Sequence, residues 1–447
     1  MIPILIHNAL IINEGRSFIG SVLVEGNRIH KIFESVVPEE ILRSSKIIDA
    51  AGKWLIPGVI DDHVHFRDPG LTHKADLTTE SLAALAGGVT SFMDMPNTVP
   101  HTTTIQAWES KMELAASKSF ANYSFYLGAT NDNLSELCKA DFSRVCGVKV
   151  FMGSSTGNML VGQQKSLEGI FSSVSGIVAV HAESESIIQA NKAKYIEETG
   201  SDLPLNFHPL IRSAEACYAS SSTAVELASR FNTRLHLLHI STAKELSLFE
   251  DKPLSEKKIT AEVCVSHLWF DDGDYKHYGN AIKCNPAIKN LQDKEALRTA
   301  IAGNLLDVIA TDHAPHLWSE KQGDCLTAAS GSPSIQFSLP LMLELVLKGV
   351  FSREKMVEKM CHAPASLYRI KNRGYIREGY YADIVLINPD DPWTLTGTRI
   401  LSKCAWSPFE GQRFKTSIYQ TYLNGKLVYN DGKVYHTKAS KPLQFEV

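Results

Sequence analysis

Apolar positions fall into two textures along the chain. Residues 1–55 and 371–447 break into short strand-like runs separated by turn residues. Ser21–Glu25 and Arg28–Phe33 flank Gly26-Asn27, and Tyr419–Leu423 and Lys426–Tyr429 flank Asn424-Gly425. Such pairs predict hairpins. Between them, eight apolar runs alternate with helix-like stretches. The predicted strands are Leu55–Asp61, Val89–Asp94, Tyr123–Gly128, Gly147–Phe151, Ile177–His181, Leu235–His239, Ile259–Cys264 and Asp307–Asp312. Leu77–Ala86 and Ser213–Arg230 carry amphipathic helix patterns, the former stopped by Gly87-Gly88. Eight strand–helix alternations over about 260 residues predict an α/β chain folded as a (β/α)8 TIM-like barrel. An open doubly wound sheet is the rival, weakened because no GxGxxG follows the first strand. The β-rich ends are expected to join as one small β-sandwich domain (1–55 plus 371–447), with the barrel (56–370) inserted between them.

Composition adds mostly exclusions. In 447 residues, 45 Lys+Arg against 49 Asp+Glu leave a net charge of −4, so no basic excess argues for nucleic acid. No apolar run is long enough for a membrane span, and the opening MIPILIHNALII lacks the basic start of a signal peptide. Eight scattered cysteines without CxxC suggest reduced thiols and a cytoplasmic protein.

The candidate chemistry sits at strand ends, where barrel active sites gather. His63 and His65 are two apart, so on a strand they share a face and suit a metal such as zinc. His181, His239 and Asp312 close three other strands. His236 falls on the opposite side of its strand from His239 and is expected to be structural. Lys149 lies within a predicted barrel strand, where an unpaired ammonium is costly. It is either part of a buried ion pair or a neutral amine able to take up carbon dioxide as a carbamate. Arg67, two residues past His65, would face the site if the strand continues, or pair with Asp68 at the surface.

HVHFRDPG (63–70), MPNT (95–98), KVFM (149–152), HAE (181–183), HIS (239–241) and TDHAPH (311–316) together resemble the amidohydrolase superfamily. Among its cyclic-amide hydrolases the dihydroorotases are most similar, with allantoinases and hydantoinases or dihydropyrimidinases as alternatives. A catalytically inactive assembly subunit is disfavoured because all six ligand positions are filled. The resemblance implies two Zn2+ ions: His63, His65 and Asp312 on one, His181 and His239 on the other, with carboxylated Lys149 between them. It implies Asp312 as the proton-transferring catalytic residue. It implies substrate contacts at His65, Arg67, Asn97, Asn285 and His316, with Ser330 and Gly331 in a pocket wall that departs from the usual Pro-Phe-Gly type. His313 is expected to orient Asp312, and Gly153–Leu160 to form a loop beside Lys149. The implied reaction is reversible hydrolysis of dihydroorotate to N-carbamoyl-aspartate in pyrimidine synthesis, by a homodimer whose partners are small molecules.

Overall fold

The computed structural model describes residues 2–153 and 159–447. Eight parallel strands close into a barrel. Val59–Val64, Val89–Asp94 and Asn122–Phe125 pair in order. Leu127–Gly128 continues the third strand beyond Tyr126, and Val148–Phe151, Val178–His181, Leu235–Leu237, Ile259–Cys264 and Val308–Ala310 follow. The ring closes where Val64 bridges His313 and where the Thr311 hydroxyl donates to Asp61 at 2.6 Å. Closure removes the open-sheet alternative. The strands are buried on both faces, which is why they read as apolar runs rather than alternating ones. The helices start and stop on local chemistry: Asp76 caps Leu77–Ala86 by accepting from Thr78 N and Thr79 N, and Asn232, at φ 57°, ends Ala214–Phe231.

The run expected as one first strand, Leu55–Asp61, is two. Trp54–Pro57 belongs to a different sheet, and the barrel strand begins at Val59. Gly58 makes the crossing: a Cβ there would lie 2.2 Å from Thr90 Oγ1, so only glycine fits.

The two chain ends share one nine-stranded sheet. Ile4–Asn13 pairs antiparallel with Arg16–Glu25 and parallel with Trp54–Pro57. Trp54–Pro57 pairs in turn with Ile384–Asn388, which carries Ser417–Leu423 and Lys426–Asn430 beyond it. Both predicted hairpins are present; Asn424 (φ 48°) and Gly425 (φ 76°) adopt the left-handed pair that a two-residue hairpin turn requires. Residues 441–445 then run back along the barrel, where Tyr123 exchanges backbone hydrogen bonds with Lys441 and Leu443. A buried polar knot joins the two parts: Asp383 binds Arg373, Asn122 and Asn424 N. All eight cysteines are free thiols. No helix among the described residues is long and apolar enough to cross a membrane.

Candidate active site

A cavity of about 380 Å³ opens at the C-terminal ends of the strands. His63, His65, Lys149, His181, His239 and Asp312 all line it, together with Arg67, Asn97, Asn285, His316, Ser330 and Gly331. The sequence-expected residues therefore come together.

Four imidazoles form an arc. Ring centroids are 5.5 Å apart for His65–His63, 5.3 Å for His63–His239 and 4.5 Å for His239–His181. Asp312 Oδ1 lies 3.3 Å from His63 Nε2 and 3.1 Å from His65 Nε2. The other nitrogens are held from behind. His63 Nδ1 is 2.9 Å from Glu262 Oε1, His65 Nδ1 is 2.8 Å from Asn97 Oδ1, and His181 Nε2 is 2.9 Å from Glu183 Oε2. With the proton on the nitrogen facing each oxygen, the opposite nitrogen keeps its lone pair, as metal ligation requires. Burial holds the protonated forms of His63 and His65 down to about 4, against the opposing pull of Asp312, and lowers His181 and His239 as well. All four rings are thus neutral near pH 7. Burial would raise the Asp312 carboxyl, but His63 and His65 more than offset it and keep the group ionised.

Lys149 Nζ is fully buried, has no hydrogen-bond partner among the described residues, and stands 4.6 Å from the Phe151 ring centroid. Burial brings its ammonium down to about 7, so a large share of the amine is neutral. His239 Nδ1 is also buried without a partner among the described residues. Neutral imidazoles, an ionised carboxylate and an orphaned lysine amine form a donor set that fits divalent cations. His63, His65 and Asp312 already present ligand atoms all within 4.8 Å of one another. His239 and Asp312 take left-handed φ values of 41° and 46°, a strained backbone of the kind that clusters at functional sites.

Arg67 does not arrive by continuation of the strand, which ends at Val64. Its own φ of 67° turns the chain, and the side chain is buried. Nε donates to Pro315 O at 3.1 Å, and Nη2 stands 3.2 Å from His316 Nε2. Among the described residues no carboxylate lies within ion-pair distance of it, and Asp68 pairs instead with Lys118 at 2.9 Å. Burial, reinforced by the neighbouring Arg67 and Lys74 cations, keeps His316 neutral. Asn285 Oδ1 is buried and has no partner among the described residues beside the same cavity. The wall holding Ser330 and Gly331 is pinned by Lys321, whose Nζ donates to the carbonyls of Lys283, Ala329 and Gly331 at 2.8–3.0 Å. At Gly331 (φ 131°) a Cβ would lie 2.6 Å from Ala314 O.

One expectation is corrected. The His313 side chain faces away from Asp312: its Nε2 lies 2.8 Å from Glu80, and its Nδ1 accepts from Ser334 N and Ile335 N. With those partners His313 fixes the loop, not the Asp312 carboxylate. His236 lies outside the cavity, with Thr260 and Asp62 as neighbours, in keeping with a structural role. Of the expected loop, Ser154, Ser155 and Gly157 lie outside the described residues.

Sequence reasoning missed three contributors. Glu262 contacts His63 and accepts from His239 N at 3.0 Å. Glu183 joins His181 to Arg212, whose Nη1 is 2.6 Å away, and Arg212 lines the cavity. A lone carboxylate within the buried run Ile259–Cys264 was a readable signal for Glu262. Arg212 follows a short helix, where no periodicity marks it.

A closed parallel barrel with these groups at its mouth is the arrangement of a barrel hydrolase. The amidohydrolase family profile matches residues 54–428, and the chain belongs to that family. Its relatives include a dihydroorotase of Methanosphaera stadtmanae, 32% identical over 424 residues and covering 93% of this chain and 94% of the relative. A dihydroorotase of Pyrococcus abyssi is 31% identical, covering 94% and 93%. Among solved structures, an L-hydantoinase (dihydropyrimidinase) from Arthrobacter aurescens superposes with a TM-score of 0.92 at 26% identity, covering 99% of this chain and all of that one.

Proposed function

We propose that the protein is a dihydroorotase, interconverting dihydroorotate and N-carbamoyl-aspartate in pyrimidine synthesis. The observation that carries this is Arg67: a buried guanidinium on the cavity wall with no carboxylate of its own among the described residues. Dihydroorotate brings that carboxylate, and the planar fork matches it. Hydantoins and dihydrouracil do not need it.

His63, His65, Asp312, His181 and His239 would hold two zinc ions, together with Lys149 as a carbamate. When bound, the ions supply Lewis acidity and a water of lowered pKa. Asp312 accepts the proton of the attacking water at its carboxylate and returns it to the leaving ring nitrogen. Arg67 orients the ring by its carboxylate, with Asn97, Asn285 and His316 beside it. The wall at Ser330 and Gly331 limits solvent at the bound ring. Glu262, Asn97 and Glu183 hold the imidazoles in the required tautomers. The expected setting is a cytoplasmic homodimer acting on small molecules.

The structural likeness to an L-hydantoinase supports a second reading, a hydantoinase or dihydropyrimidinase. Zinc-replete protein given dihydroorotate, allantoin and dihydrouracil separately at equal concentration decides between them. A preference for dihydroorotate of at least about a hundredfold is expected. Faster turnover of a neutral ring would overturn the assignment.

A further inference from the structure

A second pocket, of about 410 Å³, lies at the opposite end of the barrel, where strands begin. Arg234 immediately precedes Leu235–Leu237, and Lys258 precedes Ile259–Cys264. Arg369, just past the helix Ala363–Leu367, completes the rim.

Charge in this pocket is unbalanced. Five basic side chains line it against two carboxylates, Asp307 and Glu358. Both carboxylates are engaged: Lys257 Nζ is 2.8 Å from Asp307, and Lys359 Nζ is 3.4 Å from Glu358. Arg234, Lys258 and Arg369 have no carboxylate within 4.0 Å among the described residues. Arg234 is half-buried and donates one N–H to Leu367 O at 2.6 Å, which fixes its guanidinium in place. Its other N–H groups have no partner among the described residues. Burial, and then the neighbouring Arg369 cation, lower its pKa, so two like charges face one shared space. His362 adds no charge, since burial keeps it neutral, and both its nitrogens are taken, by Gly374 O and Glu14 N.

A cation held partly out of water beside a second cation is unfavourable unless an anion joins them. The planar forks of two arginines and the ammonium of a lysine suit tetrahedral oxyanions. The volume falls within the range of small-ligand sites. We propose that this pocket binds a small phosphorylated ligand through Arg234, Lys258 and Arg369. Arg234 stands five residues before His239 and Lys258 four before Glu262, so the bound phosphate sits at the foot of two strands that build the catalytic mouth. The proposal stands independently of the reaction assigned above.

Titration calorimetry of the zinc-loaded full chain tests it. Inorganic phosphate, pyrophosphate and ATP are the probes, and citrate is the polyanion without phosphorus. Saturable binding of pyrophosphate or ATP at one site is expected, weakening as salt rises. Arg234→Gln and Arg369→Gln should each weaken it at least about tenfold while metal content and basal turnover stay unchanged. Arg369 is exposed, so its variant keeps the test informative if Arg234→Gln fails to fold. Binding equal in both variants places the phosphate elsewhere, for example on the zinc, and overturns the proposal. So does citrate binding as tightly as pyrophosphate, or no phosphate binding at millimolar concentration.

Discussion

Arg67→Ala separates substrate recognition from site construction. A guanidinium has five N–H donors. Nε is spent on Pro315 O, and one Nη2 hydrogen faces His316 Nε2. The remaining three allow a carboxylate one two-pronged contact. A hydrogen bond to a charged group contributes about 1.5–3 kcal/mol, so two give roughly 3–6 kcal/mol, and burial limits screening by salt. At about 1.4 kcal/mol per decade, kcat/KM for dihydroorotate should fall by roughly two to four decades. For dihydrouracil, which lacks the carboxylate, it should change by less than about threefold. The measurement is kcat/KM for both rings on parent and variant at matched zinc content. Equal losses on the two rings would refute the reasoning, because Arg67 would then serve by propping Pro315 and His316 rather than by holding substrate.

Three further outcomes are expected. Lys149→Met should lower the metal content per chain relative to the parent, read by elemental analysis, and should raise the melting point of chelator-treated protein, since an unpartnered buried amine costs about 1–3 kcal/mol. Glu262→Gln should weaken zinc affinity about 10- to 100-fold by releasing the His63 tautomer, measured by competition with a chromogenic chelator. Glu354 is held down to about 2, where burial is outweighed by the Ser17 hydroxyl, the local backbone and Arg353. A depressed carboxyl stabilises the fold above its unfolded value near 4.5 and loses that contribution as pH falls towards 2. Glu354→Gln should therefore cost about 1–2 kcal/mol at pH 7 and almost nothing at pH 2 in urea melts across that range.

Buried parallel strands announce themselves as apolar runs, so all eight barrel strands were legible in the sequence. The split at Gly58 was not, because Leu55-Ile56 and Val59-Ile60 are equally apolar and periodicity cannot say which sheet a run joins. His63 and His65 followed from strand register. Arg67 reached the cavity for a different reason than register: the strand had ended and a left-handed turn delivers it. The principle that singled out Lys149, one charge in an apolar strand, applies equally to Glu262. Arg212 depends on tertiary packing against Glu183, a contact about 30 residues distant that no local pattern encodes.

The pairing of Trp54–Pro57 with Ile384–Asn388 sets an order of events for a chain growing on the ribosome. His63 emerges more than 300 residues before the strand that flanks the segment leading into it. Until Ile384–Asn388 arrives, Trp54–Pro57 has one open edge, and the third barrel strand waits longer still for residues 441–445. The nine-stranded sheet and the edge of the third barrel strand are thus completed late in translation. A message cut short after the barrel would yield a polypeptide holding every proposed zinc ligand and still lacking the segments that pair with Trp54–Pro57 and with the third barrel strand. Such a product would be material for chaperones and proteases rather than a smaller working enzyme.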